Sequence, residues 1–231
     1  YIDIEEFEDM YENATATMGF INISNNEINA NEEGIYFYAY ELGYYIEDNT
    51  SIVCGDIIIY NNTITATYEA IYFYYEYVAY EMEGNASLFM GDVYIENNPA
   101  LNSSNDDAIY IEYYDGEVAY YMYGNTSARL PDFIIRNNVI NSEASWESGI
   151  NMYTGYNPYY VYDNSYIYFG GWLIDNNTIN AAYGIYLDYY DFCYDNEDNS
   201  TTEIGDIIII NNRINADDKG IDIYYDDIGY N

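Results

Sequence analysis

Apolar and polar residues alternate along this chain in short runs, and the runs recur. The clearest is Gly55-Asp56-Ile57-Ile58-Ile59-Tyr60-Asn61-Asn62-Thr63-Ile64. Five similar runs extend from Gly19 to Ile28, Gly91 to Ala100, Pro131 to Ile140, Gly170 to Ile179 and Gly205 to Ile214. Their Asn-Asn pairs begin at Asn25, Asn61, Asn97, Asn137, Asn176 and Asn211, at steps of 35 to 40 residues. Self-similarity at such a period is the signature of a stacked architecture, in which each repeat buries its apolar face only against its neighbours.

The apolar positions say how the repeats stack. Two residues before each pair stand Ile23, Ile59, Ile95, Ile135, Ile174 and Ile209; four before it stand Ile21, Ile57, Val93, Phe133, Trp172 and Ile207. Three after its first Asn come Ile28, Ile64, Ala100, Ile140, Ile179 and Ile214. Residues two apart share a face of a strand, so these columns predict inward-facing rows on successive parallel strands. The Asn pair marks the bend between two strands, since Asn tolerates the left-handed region and its amide bonds the backbone. Stacked copies can also bond amide to amide along the axis.

A second strand follows at Gly34-Ile35, Ala70-Ile71, Ala108-Ile109, Gly149-Ile150, Gly184-Ile185 and Gly220-Ile221. Its outward column is Tyr36, Tyr72, Tyr110, Asn151, Tyr186 and Asp222, and the next is Tyr38, Tyr74, Glu112, Tyr153, Asp188 and Tyr224. Aromatic ladders are therefore expected on the outer wall. A third segment, such as Tyr77 to Met82, returns each repeat to the next Gly-Asp. The insertions at residues 102–107 and 142–148 are expected in external loops.

The I-x-N-N-x-I pattern followed by G-I, as in Ile23-Ser24-Asn25-Asn26-Glu27-Ile28 and Gly34-Ile35, resembles the right-handed parallel β-helix repeat family, the pectin-lyase-like solenoids. The resemblance covers nearly the whole chain. It implies an all-β, right-handed parallel β-helix of about six coils of ~36 residues, a single domain over 1–231. It leaves function open, because that fold hosts lyases, hydrolases, adhesins and surface-array proteins. No cap is visible at either end, so the expectation is part of a longer array or a subunit whose ends neighbours cover.

Composition narrows the function. Four Lys plus Arg against 41 Asp plus Glu give a net charge of −37. That excludes a nucleic-acid backbone as partner and argues against an anionic membrane surface. No apolar run approaches the ~18 residues of a membrane span. Acidic chains are often disordered, but this one is rich in β-branched residues and holds 36 Tyr, so the charge belongs outside a folded body. Cys54 and Cys193 stand in an apolar and a small-residue column and are expected as buried free thiols.

Three recurrences carry candidate chemistry. Asn13, Asn49, Asn85, Asn125 and Asn199 each head an Asn-x-Ser/Thr triplet in the same turn, which predicts attached glycans or a turn that favours Asn before small hydroxyl residues. Asp56, Asp92, Asp132 and Asp206 would align along the axis, where Ca2+ bridging their carboxylates would relieve repulsion; strand-ending, water-facing Asp is the alternative. With no His and few basic residues, no catalytic residue is assigned and an enzyme is not expected. Outward Tyr suits association between copies. The composition resembles that of archaeal or bacterial cell-surface β-helix proteins, which implies an extracellular, self-assembling subunit of a fibre, sheath or S-layer. An adhesin or carbohydrate-binding β-helix is the alternative, with a polysaccharide-degrading enzyme third.

Overall fold

The six Asn-Asn corners stand one above another. In the computed structural model, which describes residues 1–4, 7, 9–193 and 195–226, strands of successive repeats pair in parallel. Ile57 is in register with Val93, Val93 with Phe133, Phe133 with Trp172 and Trp172 with Ile207. No helix occurs among the described residues. The chain is a parallel β-solenoid of about six turns.

One lap holds five short strands. In the second lap they are Ser51–Cys54, Ile57–Tyr60, Thr63–Ala66, Ile71–Glu76 and Glu81–Met82. The first two belong to six-stranded sheets running the length of the body, and the last to a four-stranded sheet. The third and fourth join in one larger sheet, because in the fifth lap the corner between them straightens into a single strand, Thr178–Tyr190. Arg213–Tyr225 does the same in the sixth lap. In laps three and four that corner carries the two insertions instead.

The core is the stack of inward columns. Ile59, Ile95, Ile135 and Ile174 are fully buried, each contributing roughly 1.5–3 kcal/mol by removal from water. One column is displaced from the sequence expectation. Ile64 pairs with Leu101 and not Ala100, because Pro99 adds a residue to that corner and shifts the following strand by one. Close stacking also explains the glycine before the Asp: a Cβ on Gly91 would lie 2.6 Å from the carbonyl carbon of Gly55.

The two Asn of each pair do different work. The first, from Asn25 to Asn211, lies in the left-handed region in every lap, with φ between 53° and 61°, a conformation Asn adopts at less cost than most residues. The second points inward, and Asn62, Asn98, Asn138 and Asn177 are buried. Asn98 accepts at Oδ1 from the backbone N–H and the amide of Asn62. Its own amide donates to Ile59 O in the lap before and Asn138 Oδ1 in the lap after. Every polar valence is met by the same arrangement one lap away, which is why a buried polar column is tolerated.

Candidate functional site

The outer walls carry the first candidate surface. Tyr36, Tyr72 and Tyr110 stack at 4.9 and 5.1 Å between ring centroids, and Tyr38 stacks on Tyr74 at 5.2 Å. A second file, beside the four-stranded sheet, consists of Tyr44, Tyr80, Tyr120 and Tyr159 at 5.1, 4.8 and 5.3 Å. Tyr40 and Tyr77 bridge the corner between the two, so ring contacts run both along the axis and around the lap. The second file escaped the sequence reading, although Tyr80-Glu81-Met82, Tyr120-Tyr121-Met122 and Tyr159-Tyr160-Val161 repeat it.

Carboxylates are threaded through this web. Tyr38 OH donates to Glu76 and Tyr72 OH to Glu112, both at 2.5 Å. Burial first, and then the neighbouring Tyr1 and the carboxylates of Glu33, Glu112 and Glu76, push the Tyr36 hydroxyl up to about 12. The expected outward column is interrupted at Asn151, whose amide nitrogen turns aside to Asp107 Oδ2 at 2.7 Å.

The aligned aspartates do form a row, with Asp56, Asp92 and Asp132 in consecutive laps; Gly171 takes the next place and Asp206 follows. The carboxylates of Asp56, Asp92 and Asp132 are engaged by the protein itself. Asp56 Oδ1 accepts the Asp92 backbone N–H, and Asp132 Oδ1 accepts those of Gly171 and the Tyr168 hydroxyl. Arg129 Nη2 bridges Asp92 at 2.8 Å and Asp132 at 2.9 Å. The relief sought from a cation is thus supplied in part by a guanidinium from the preceding strand.

The triplet asparagines form a ladder on an exposed edge. Asn49 donates to Asn13, Asn85 to Asn49, Asn125 to Asn85 and Asn164 to Asn125, at 2.9 to 3.3 Å. Asn199 stands at the same offset in the sixth lap and is exposed. The hydroxyl residues have a structural use as well: Thr126 bonds Ser165 and Ser87 bonds Ser51, each one lap apart. Asn164, which heads no triplet, keeps its place in the file.

Cys54 and Cys193 are both buried and free. Burial pushes their thiols up to about 11 and about 12, which leaves them poor nucleophiles. Cys193 sits at φ 64° in the column of Gly43, Ala79 and Ala119, all left-handed, so that position selects small residues for its backbone.

The remaining feature is at the corner of laps three and four, where the two insertions meet. Asp106, Asp107 and Glu147 gather there, and Asp107 is buried instead of lying in an external loop. Burial pushes its carboxyl up to about 7, against the opposing hydrogen bonds from Asn151 and Ser148. Beside the cluster a cavity of about 260 Å³ opens between Trp146, which is 74 % exposed, and Asn151, Tyr183, Tyr186 and Asp222. No sequence pattern announced this cluster, because its members come from irregular insertions and not from the repeat. Neither a protein-family model, nor a curated protein, nor a solved structure matches this chain.

Proposed function

We propose that this protein is an extracellular structural subunit whose solenoids associate side by side into a fibre, sheath or surface layer of the cell-surface β-helix kind. The single observation that carries the reading is the tyrosine web. Stacked rings of low conformational entropy form a continuous two-sided face, half-buried by one another, on a body that otherwise repels its copies through a charge of −37. Tyr contributes large contact area with a polar tip and is favoured where surfaces meet. A second copy of the same chain is the partner, its carboxylates accepting from outward hydroxyls. Ile221 and Ile223, inward-facing in the outermost described lap and 50 % and 38 % exposed, are what a further lap would cover, from this chain or another. We assign the protein no reaction.

Electron microscopy and sedimentation of the purified chain across salt concentration test this. Filaments or sheets are expected once salt screens the charge, and Tyr80→Ser with Tyr120→Ser should disperse them while the circular dichroism stays that of a β-solenoid. A particle that remains monomeric at every concentration and salt overturns the proposal.

The cavity beside Trp146 favours one second reading, a glycan-binding role in which a sugar ring stacks on Trp146 or Tyr186 and its hydroxyls meet Glu147 and Asp222. Saturable binding of a soluble oligosaccharide that Trp146→Ala abolishes would support it.

A further inference from the structure

The corner insertions of laps three and four bring together more negative charge than the protein neutralises. One carboxylate oxygen from each of Asp106, Asp107 and Glu147 lies within 4.8 Å of the other two. Oxygens ligating one Ca2+ at 2.3–2.6 Å stand up to ~5 Å apart, so the three can share a single ion. They arrive from two successive laps, Asp106 and Asp107 closing the first insertion and Glu147 the second.

A second, independent observation points the same way. Glu69, one lap below, is 7 % exposed. Burial first, and then the charges of Asp106, Glu33 and Asp107, push its carboxyl up, against a hydrogen bond from its own backbone N–H. Asp107 is 3 % exposed and holds the Ser148 N–H and the Asn151 amide. The other end of that amide, Asn151 Oδ1, is buried and accepts nothing. Burying carboxylates beside one another is costly unless a cation or a proton joins them.

Three of the protein's four basic side chains are engaged elsewhere, and the fourth, Arg213, stands in the sixth lap. Arg129 pairs with Asp92 and Asp132, Arg136 with Glu96, and Lys219 with Asp222. Lys219 lies nearest in the stack, two laps beyond Ser148 in register. The contrast with the Asp56–Asp92–Asp132 row is informative, since backbone N–H groups and a guanidinium already occupy those oxygens.

We propose that Asp106, Asp107 and Glu147 form a Ca2+ site that clamps the third lap to the fourth. Hard oxygen donors on irregular loops suit Ca2+, which takes six to eight oxygens in adaptable geometry. Asn151 would go on holding Asp107 through its amide N–H, and water would complete the shell. The ion would anchor the loop carrying Trp146, fixing the rim of the adjacent cavity.

Calorimetric titration of CaCl2 into the chelator-treated full chain, at about 0.15 M salt to suppress diffuse attraction, tests the site. One saturable equivalent is expected. Asp106→Asn and Glu147→Gln should each weaken it at least about tenfold, whereas Asp56→Asn should leave it unchanged. Thermal melting supplies a second readout: calcium should raise the parent's melting temperature and leave that of Asp107→Asn where it was. No saturable binding, binding that survives both loop substitutions, or equal loss on Asp56→Asn overturns the proposal. So does a parent whose melting temperature is the same in chelator and in millimolar calcium.

Discussion

Asn98 donates to Asn138 Oδ1 twice, through its backbone N–H and through its amide, both at 2.9 Å, and both side chains are buried. One oxygen thus ties the corner of one lap to the corner of the next. The same pair of bonds links Asn62 to Asn98 and Asn138 to Asn177. The ladder fixes register as well as adding stability, because a slipped lap would leave four buried polar groups facing isoleucine.

Removing one rung should therefore be expensive. Asn98→Ala strands the Asn62 backbone N–H and one N–H of its amide and takes the donor from Ile59 O, at a cost of roughly 2–4 kcal/mol. Asn61→Gly, at the neighbouring exposed position, keeps the left-handed backbone that residue needs and should cost under about 1 kcal/mol. Urea denaturation of the two variants separates them; equal losses would mean that the buried ladder is no more than a turn preference.

The period, the parallel stacking and the identity of the corner were legible because each recurs in every lap, so six weak signals add. Ile59 and its column could be placed inside from spacing alone. What repetition could not convey was which Asn of the pair is buried, since both recur equally and the choice depends on a one-residue difference in backbone direction. The register at Leu101 was lost to a single added residue, Pro99. The carboxylate cluster lies where the repeat is broken, and two irregular insertions give no pattern from which to infer that Asp107 and Glu147 meet.

Arg129 is the one basic residue that spans two members of the aspartate row. Its guanidinium also donates to Met90 O at 2.9 Å and lies over the rings of Phe89 and Tyr168 at 5.1 and 5.4 Å. Arg129→Met should cost about 1–2 kcal/mol at low salt, with the difference shrinking as salt screens Asp92 and Asp132. Arg129→Lys should recover little of it, because an ammonium cannot bridge both carboxylates and reach the carbonyl at once. Melting curves at low and high salt measure both.

Acid should stabilise this protein when calcium is withheld. Asp107, ordinarily near 3.8, is pushed up to about 7, and Glu69 from 4.5 to about 7, chiefly by burial. The groups facing them, Glu33, Asp106 and Glu147, are also carboxylates and act in the same direction. The folded chain then holds protons that the unfolded chain has released, so the stability these two groups contribute is fully present below about pH 4 and is lost as pH rises through about 7. For Asp107 the span is on the order of 4 kcal/mol. In chelator, the melting temperature should climb between pH 8 and pH 5, and Asp107→Asn should flatten the climb. A flat or inverted profile in the parent would contradict the buried pair.

The glycan question reduces to spacing. The asparagines that a sugar would modify, Asn13, Asn49, Asn85 and Asn125, belong to one hydrogen-bonded file, whose rungs are one strand spacing, ~4.8 Å, apart. A pyranose with its equatorial substituents is wider than that. Substitution leaves one N–H on each nitrogen, so the ladder bond itself can survive, but sugars on adjacent rungs would collide. Asn199 is separated from Asn125 by Asn164, which carries no acceptor triplet, and so has no modified neighbour. Expressed in a glycosylating host, the chain should carry sugar on at most about three of these five asparagines, with alternate rungs left bare. Peptide mapping after enzymatic deglycosylation in oxygen-18 water reads occupancy site by site. Sugars on Asn49 and Asn85 of the same molecule would mean that the edge splays apart, and the hydrogen-bonded file would then have to be abandoned.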